Sequence, residues 1–491
     1  MQSWLCFSLL AGVLASVGAV NFVCPTNTIS SLPSTGTIPN GAATLTNVLP
    51  NTNCTIKFNI PNGYAVKLQI SNNGINGTDA VTVVDTVGKR YQTQPIVTNS
   101  VIWFASGSAS MGVLSPKGNL MFFATYQYVA LNTFAKQQYY TGSYFYGQLA
   151  QNTVYTMSTH NLAERVAVSV GKSDTRIFDS TAHMIYVYDG DNILNTRMMG
   201  RLTDLATASD RIYSSGTSLS FVCFYNQGSV RPISYILGND ASAVSGLTKY
   251  AVATLTTQAG LQGSFTDGTN PGSAYTFICL DCVTMYLNKF SFDTTVSFNG
   301  GYTELRGQTP THRMETLIKF PVQTFLNTQI PQIIPTKIFT MYLSMARAMF
   351  TIDTNSAPWL TPVDKRSGVI ISPNKWDASM PASFAYTFRN NSQLFNYNLR
   401  FDKAVFGAPQ TDSLVLMMGP ANGNPTINNN YPKTTTATGQ VSSVGNYMTT
   451  ALVSTSLQTD VRMTFTMNVY KSASSVSIMV SCLAAVLVYL R

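Results

Sequence analysis

The chain of 491 residues has few charged side chains and few histidines. Only 10% of its residues are Asp, Glu, Lys or Arg, and its three histidines, His160, His183 and His312, are widely separated. His-Glu-x-x-His, Gly-x-Ser-x-Gly and a Gly-rich lysine loop are all missing, which excludes the zinc proteases, serine hydrolases and P-loop nucleotide hydrolases that carry these motifs. We therefore predict that the protein is not an enzyme and has no catalytic residue, metal or cofactor.

Basic residues outnumber acidic ones, but they are not clustered. The formal net charge is +9, and the densest basic groups are only Lys89-Arg90, Arg197 to Arg211, and Lys365-Arg366. Nucleic-acid binding proteins gather their basic residues on one face or helix, so we predict no nucleic-acid partner. Abundant Ser, Thr, Asn, Gly and Tyr at low charge is typical of β-rich extracellular modules.

Both ends of the chain have the composition of processing or anchoring segments. Trp4 to Val20 is an apolar block with the small residues Val17 and Ala19 where a signal peptidase would cleave, which predicts a signal peptide over residues 1–19. Val476 to Leu490 is apolar and too short to span a bilayer comfortably. We predict a glycosylphosphatidylinositol (GPI) signal over residues 472–491 or, as the alternative, a short transmembrane anchor. The candidate attachment residues are Ser472, Ala473 and Ser474.

These segments predict passage through the secretory pathway to the outer leaflet at the cell surface, including membrane rafts.

A strand-like run of alternating apolar and polar residues, followed by a turn, recurs four times along the chain. The midpoints of the runs are Val83, Val187, Glu304 and Leu416, which are spaced by about the length of a domain. No long amphipathic helix interrupts the pattern. We predict an all-β, jelly-roll-like fold of four tandem β-sandwich domains, with two larger domains built from swapped halves as the alternative. The predicted boundaries are 20–135, 140–250, 255–355 and 360–471.

One of these runs carries a family resemblance. Three motifs in this order resemble the signature of CUB domains: Ile185-Tyr186-Val187-Tyr188-Asp189-Gly190, then Gly200-Arg201-Leu202, then Ser214 to Phe221. Residues 22–130 and 140–245 are similar to nematode-type CUB-like proteins, whereas the third and fourth units match weakly. The resemblance implies tandem CUB-like sandwiches, secreted or lipid-anchored, with a role in the innate response to microbes.

Many CUB domains hold a calcium ion with carboxylates at one end of the sandwich. The acidic residues near the first motif, Asp79 and Asp85, are too few for a complete site. The second unit has four carboxylates, but Asp189-Gly190 is more simply a turn. We therefore predict no metal site. The four carboxylates are those of Asp174, Asp179, Asp189 and Asp191.

Seven cysteines include Cys6 and Cys482, which lie in the two end segments. Cys24 and Cys54 are the natural disulfide pair at the front of the exported chain, and the resemblance implies that they form the first CUB-type bridge. We predict a second bridge from Cys223 to Cys279 or Cys282, which leaves one odd thiol. Cys279-x-x-Cys282 lacks the βαβ setting of a redox motif and the further ligands of a zinc site.

Three sequons permit N-glycosylation, at Asn53, Asn76 and Asn390. A fourth, at Asn424, is excluded by Pro425.

The aromatic run at residues 139–146 is the candidate binding surface. Exposed tyrosines give contact area on sugars or proteins, so Tyr139, Tyr140, Tyr144 and Tyr146 predict recognition of microbial or host glycans or of a cell-surface protein. The same run also fits a linker packed between two domains. A second interpretation of the whole chain is a structural glycoprotein of an apical surface coat, which binds no specific ligand.

Overall fold

The computed structural model describes residues 21–74, 78–172, 182–225, 234–267, 272–293, 300–433 and 436–471. The predicted all-β fold is confirmed, because strands dominate the described residues and the helices are short. The strands form four β-sandwiches that follow one another along the chain.

The first sandwich pairs the sheet β3-β8-β5-β6 with the sheet β1-β9-β4-β7, and the short β2 adds to β9. Its strands alternate in burial, as β3 does with Cys54, Ile56 and Phe58 inside and Asn53, Thr55 and Lys57 outside. The strands are β1 (Thr35–Ile38), β2 (Thr46–Asn47), β3 (Thr52–Ile60), β4 (Tyr64–Asn73), β5 (Ala80–Val84), β6 (Arg90–Gln92), β7 (Val97–Phe104), β8 (Gly107–Ser115) and β9 (Met121–Ala130).

The second sandwich pairs the sheet β10-β12-β17-β14-β15 with β11-β18-β13, and β16 adds to β13. Its strands are β10 (Ala135–Tyr140), β11 (Tyr144–Tyr146), β12 (Thr153–Ser158), β13 (Val166–Lys172), β14 (Ile185–Tyr188), β15 (Met198–Arg201), β16 (Ile212–Tyr213), β17 (Ser218–Cys223) and β18 (Ser234–Asp240). Two helices, α1 (Leu202–Ala208) and α2 (Ala241–Val244), follow β15 and β18.

The third sandwich pairs β20-β27-β22-β25 with β21-β26-β23-β24, and β19 lies beside β21. Its strands are β19 (Tyr250–Leu255), β20 (Leu261–Asp267), β21 (Ser273–Cys279), β22 (Met285–Phe292), β23 (Tyr302–Gly307), β24 (Thr316–Pro321), β25 (Gln332–Ile334), β26 (Ile338–Ser344) and β27 (Ala346–Asp353). Helix α3 (Ala357–Leu360) leads to the fourth sandwich.

The fourth sandwich pairs β28-β35-β30-β33 with β29-β34-β31-β32. Its strands are β28 (Arg366–Ile371), β29 (Phe384–Arg389), β30 (Phe395–Val405), β31 (Ser413–Gly419), β32 (Ile427–Tyr431), β33 (Gln440–Gly445), β34 (Tyr447–Val453) and β35 (Asp460–Val469). In the part of the chain that the structure describes, five single-turn 3-10 helices lie in connections, at Leu131–Thr133, Ala182–Met184, Pro310–His312, Asn327–Gln329 and Pro373–Lys375.

The four sandwiches share one strand order once β2, β10 and β19 are set aside. In each, the first, eighth, third and sixth strands form one sheet, and the second, seventh, fourth and fifth form the other. Val83, Val187, Glu304 and Leu416 all lie in the fourth strand of their sandwich. Each sandwich is built from a contiguous segment, which does not fit the alternative of swapped halves.

The sandwiches are joined by buried contacts. At the first joint Trp103 stacks on Phe224, with ring centroids 5.5 Å apart. At the second, β19 pairs in parallel with both β13 and β21, so one sheet of nine strands runs through the second and third sandwiches. At the third, Ile371 and Trp376 lie in the core of the third sandwich. These contacts favour a continuous array of sandwiches over domains that move independently.

Candidate functional site

A cavity of about 300 Å³ opens at the joint between the second and third sandwiches. Its lining comes from β13, from α1 and the segment after it through β16, and from β19, β20, Tyr275 and Phe350. We call it the junction cleft. Its volume lies at the lower end of the range of small-ligand sites, about 300–1,000 Å³.

The cleft exists because β13 changes partner along its length. Ala167 and Val168 pair with the short β16, whereas Lys172 pairs with Ala253 of β19. Between these two points no strand is paired with this edge of β13, and Ser169 and Val170 line the cleft there.

Asp210 holds the two sides of the gap together. Its backbone oxygen accepts a 2.7 Å hydrogen bond from Ser169 Oγ of β13. Its carboxylate accepts one from the backbone N–H of Tyr250 at 2.8 Å and one from Arg211 Nε at 2.9 Å. The side chains of Ser169 and Asp210 thus have partners within the protein, which is the usual state of buried polar groups.

Aromatic rings form the wall on the side of the third sandwich. Phe265 stacks on Tyr275, with ring centroids 3.3 Å apart and an interplanar angle of 10°, and contacts Phe350 at 4.7 Å. At Gly263 an added Cβ would lie 2.6 Å from the Phe350 ring, so the glycine lets β20 approach it. Burial, with a smaller contribution from Asp267, raises the pKa of Tyr275 to about 12, so this phenol stays neutral at physiological pH.

The rim of the cleft is polar, because three of its lining residues, Ser209, Lys249 and Gln262, are polar and exposed. Ser209 Oγ donates to the backbone oxygen of Arg211. Among the described residues, the Lys249 ammonium forms no ion pair, and its contact is with the Tyr275 ring, 5.9 Å from the centroid. The arrangement is an apolar pocket with a cation at its mouth.

The four tyrosines predicted to bind a ligand do not form one platform. Tyr139 packs into the core of the second sandwich, with its ring centroid 4.7 Å from that of Phe145. Tyr140 is on the other face of β10 and stacks on His160 at 4.1 Å. Tyr144 and Tyr146 lie on the outer face of the sheet that contains β11. Only Tyr140 and Tyr146 are exposed, at 44% and 51%.

The structure contains the Cys24–Cys54 disulfide. The predicted bridge from Cys223 to Cys279 or Cys282 is wrong, because Cys279 and Cys282 pair with each other. Cys223 lies in the core of the second sandwich and Cys279 in that of the third, so the two side chains face different interiors. The Cys223 thiol donates to the backbone oxygen of Tyr225 at 3.4 Å.

Two predicted glycosylation sites lie in described segments. Asn53 is exposed on β3, and Asn390 follows β29 with its side-chain oxygen accepting hydrogen bonds from Ser392 and Gln393. Asn76, the attachment candidates Ser472, Ala473 and Ser474, and the end segments 1–19 and 472–491 lie outside the described residues. Within the described part of the chain, no helix is both long and apolar enough to cross a membrane.

Two of the acidic residues weighed as calcium ligands, Asp85 and Asp189, accept hydrogen bonds from backbone N–H groups. Asp189 accepts the backbone N–H of Ser215 at 2.8 Å, as in a turn. Asp85 accepts the backbone N–H groups of Val87 and Lys89. Asp174 and Asp179 lie outside the described residues. Across the segments that the structure describes, no three His, Cys, Asp or Glu side chains are placed to hold a metal ion.

Sequence reasoning missed the junction cleft. Its residues lie on seven strands and helices between Val168 and Phe350, and none belongs to a motif. The sequence contains only weak indications of the cleft: Lys249 precedes one alternating strand, and Gly263 lies inside a second alternating strand.

Comparison with protein families matches residues 19–132 to the CUB-like domain. The search of curated proteins finds no match. Among solved structures, the CUB1-EGF-CUB2 domains of human MASP-1/3 align at 13% identity, over 42% of this chain and 100% of theirs, with a TM-score of 0.17. The same domains of rat MASP-1 align at 10% identity, over 43% and 99%, with a TM-score of 0.18.

The extracellular region of zebrafish Gpr126/Adgrg6 aligns at 9% identity, over 68% of this chain and 53% of that one, with a TM-score of 0.19. TM-scores of this size do not establish a shared arrangement, and we base no argument on these three structures. The family match covers the first sandwich, which is therefore similar to a CUB-like domain.

Proposed function

We propose that this chain is an extracellular, non-enzymatic recognition protein whose ligand binds in the junction cleft. The observation that carries the proposal is the cleft itself: a concave, mainly apolar cavity with a few polar groups at its rim is the usual form of a small-ligand site. The CUB-like family match of residues 19–132, the Cys24–Cys54 disulfide and the sequons support exposure outside the cell.

In this proposal residues 472–491 tether the protein to the outer leaflet, through GPI in preference to a transmembrane helix. Release from the cell surface by phosphatidylinositol-specific phospholipase C supports GPI, and retention contradicts it. A role in the innate response to microbes rests on the resemblance of residues 22–130 and 140–245 to nematode-type CUB-like proteins. The proposed partners are therefore microbial or host molecules that present an apolar group to the cleft.

The binding proposal is tested with a neutral apolar fluorophore, N-phenyl-1-naphthylamine, titrated into the purified protein. We expect saturable binding at one site. Ala206 lines the cleft and Ala208, two residues along α1, is exposed and does not. Ala206→Trp should abolish binding by filling the cleft, whereas the matched control Ala208→Trp should keep it. Absent binding, or equal binding by both variants, contradicts the site.

The structural alternative has one observation in its favour. All three joints are buried, so the array is suited to act as a stiff spacer in a surface coat. A spacer needs no ligand, and an absence of fluorophore binding would shift the weight to it.

A further inference from the structure

We infer that the junction cleft takes the alkyl chain of an aliphatic carboxylate, with the carboxylate beside Lys249. The inference rests on the function proposed above and names its ligand class. Its three supports are the apolar interior, the satisfied interior polar groups and the cation at the rim.

The interior of the cleft offers apolar surface that the protein leaves partly uncovered. Six of its lining residues are apolar and only half-buried, although they face a concave space. Covering such surface is favourable in proportion to the area removed from water. These residues are Val170, Ala206, Ala251, Ala253, Leu261 and Phe265.

The polar side chains inside the cleft are few, and each already has a partner within the protein. Ser169 donates to the backbone of Asp210, and both carboxylate oxygens of Asp210 accept hydrogen bonds from Arg211 and Tyr250. A sugar placed inside would exchange most of its hydration for few hydrogen bonds, because the lining is mainly apolar. An alkyl chain gives up no hydrogen bond, so this interior favours a hydrocarbon.

The rim selects the head group by charge. Lys249 is exposed at the mouth and, among the described residues, has no carboxylate partner. The one carboxylate in the lining, that of Asp210, is already paired with Arg211 at 2.9 Å. The amide of Gln262 adds a donor at the same rim. An anionic head group complements this arrangement.

The volume is compatible with an alkyl chain of medium length. A cavity of about 300 Å³ lies at the lower end of the range of small-ligand sites. We therefore choose decanoate as the probe.

The inference is tested by calorimetric titration of the purified protein with decanoate, octanoate and decanol. Each buried methylene should strengthen binding about fourfold, so decanoate should bind about fifteenfold more tightly than octanoate. The exposed charge pair should favour decanoate over decanol by about fivefold at low salt. That preference should vanish in Lys249→Met, which keeps the apolar stem but not the charge. Ala206→Trp should bind none of the three probes, and Ala208→Trp should bind all three.

The outcomes distinguish a failure of the proposed ligand class from a failure of the proposed binding function. Equal affinity for decanoate and decanol overturns the carboxylate. Fluorophore binding without binding of either alkyl probe overturns the ligand class but leaves the cleft as a binding site. If fluorophore and alkyl probes all fail to bind, the proposed function fails with the inference.

Discussion

The buried ion pair at the first joint predicts a large loss of stability when one partner is removed. Arg201 Nη2 lies 2.5 Å from Asp85 Oδ2, with side-chain exposures of 6% and 0%. Arg201 also donates to the hydroxyl of Tyr186 at 3.2 Å. Asp85 belongs to the first sandwich and Arg201 to the second, so the pair couples the two units.

The magnitude follows from the burial of the pair. Two unit charges about 4 Å apart attract by about 4 kcal/mol at an effective dielectric constant of about 20. Breaking a buried pair by removing one charge costs about 3–5 kcal/mol, because the other charge stays buried. We therefore expect Arg201→Met to destabilise the first two sandwiches by about 4 kcal/mol, or roughly 8–16 °C in melting temperature for a unit of 150–250 residues.

The assay is differential scanning calorimetry of four proteins: the wild type, Arg201→Met, Asp85→Asn and the double variant. The double variant should be more stable than the sum of the two single losses predicts, since neither charge is then left alone. Arg400→Met is the matched control, because Arg400 pairs with Asp402 at 2.8 Å in an exposed position, where such pairs contribute less than about 1 kcal/mol.

The reasoning would be refuted by Arg201→Met melting within about 2 °C of the wild type. It would also be refuted by strictly additive losses in the double variant.

Two further predictions concern the other joints. His312 packs on Gly142 across the second joint, and burial lowers the pKa of its imidazole, while Asp377 and Asp240 partly oppose the shift. The contribution of neutral His312 to the stability of the fold is therefore complete above the unfolded pKa of about 6.5. It is lost as pH falls through the folded pKa. When the pH is lowered from 7 to 5, the melting temperature of the wild type should therefore drop further than that of His312→Gln. An equal drop in the two proteins would contradict this. Arg366 is 2% exposed and packs on Trp359 without an ion pair among the described residues, and burial lowers its pKa to about 10. We therefore expect Arg366→Met to melt at or above the wild-type temperature. A decrease of more than about 2 kcal/mol in the free energy of unfolding would contradict this and would show that the hydrogen bonds of Arg366 to backbone carbonyls dominate.

The repeating sandwich could be predicted from the sequence because its signal is local. An alternating strand shows its burial pattern within a few residues, as β5 around Val83 and β31 around Leu416 do. The same pattern located equivalent strands in the weakly matching third and fourth units, because burial on one face of a strand depends little on the family.

The joints and the cleft could not be predicted, because they depend on contacts between distant segments. Nothing near Arg201 in the sequence points to Asp85, and nothing near Lys249 points to Phe265 or Val168. The error at Cys223 has the same origin: its thiol faces the second core and that of Cys279 faces the third. The tyrosines of residues 139–146 are close in sequence, but Tyr139 and Tyr140 face opposite sides of β10, and Tyr144 and Tyr146 lie on β11 in the other sheet.

The most direct test of the account is a crystal structure of the protein with 10-bromodecanoate. The account predicts an anomalous bromine peak inside the junction cleft, beside the rings of Phe265 and Phe350, with the carboxylate next to Lys249. Bromine peaks only outside the cleft, or an empty cleft at saturating ligand, would contradict it.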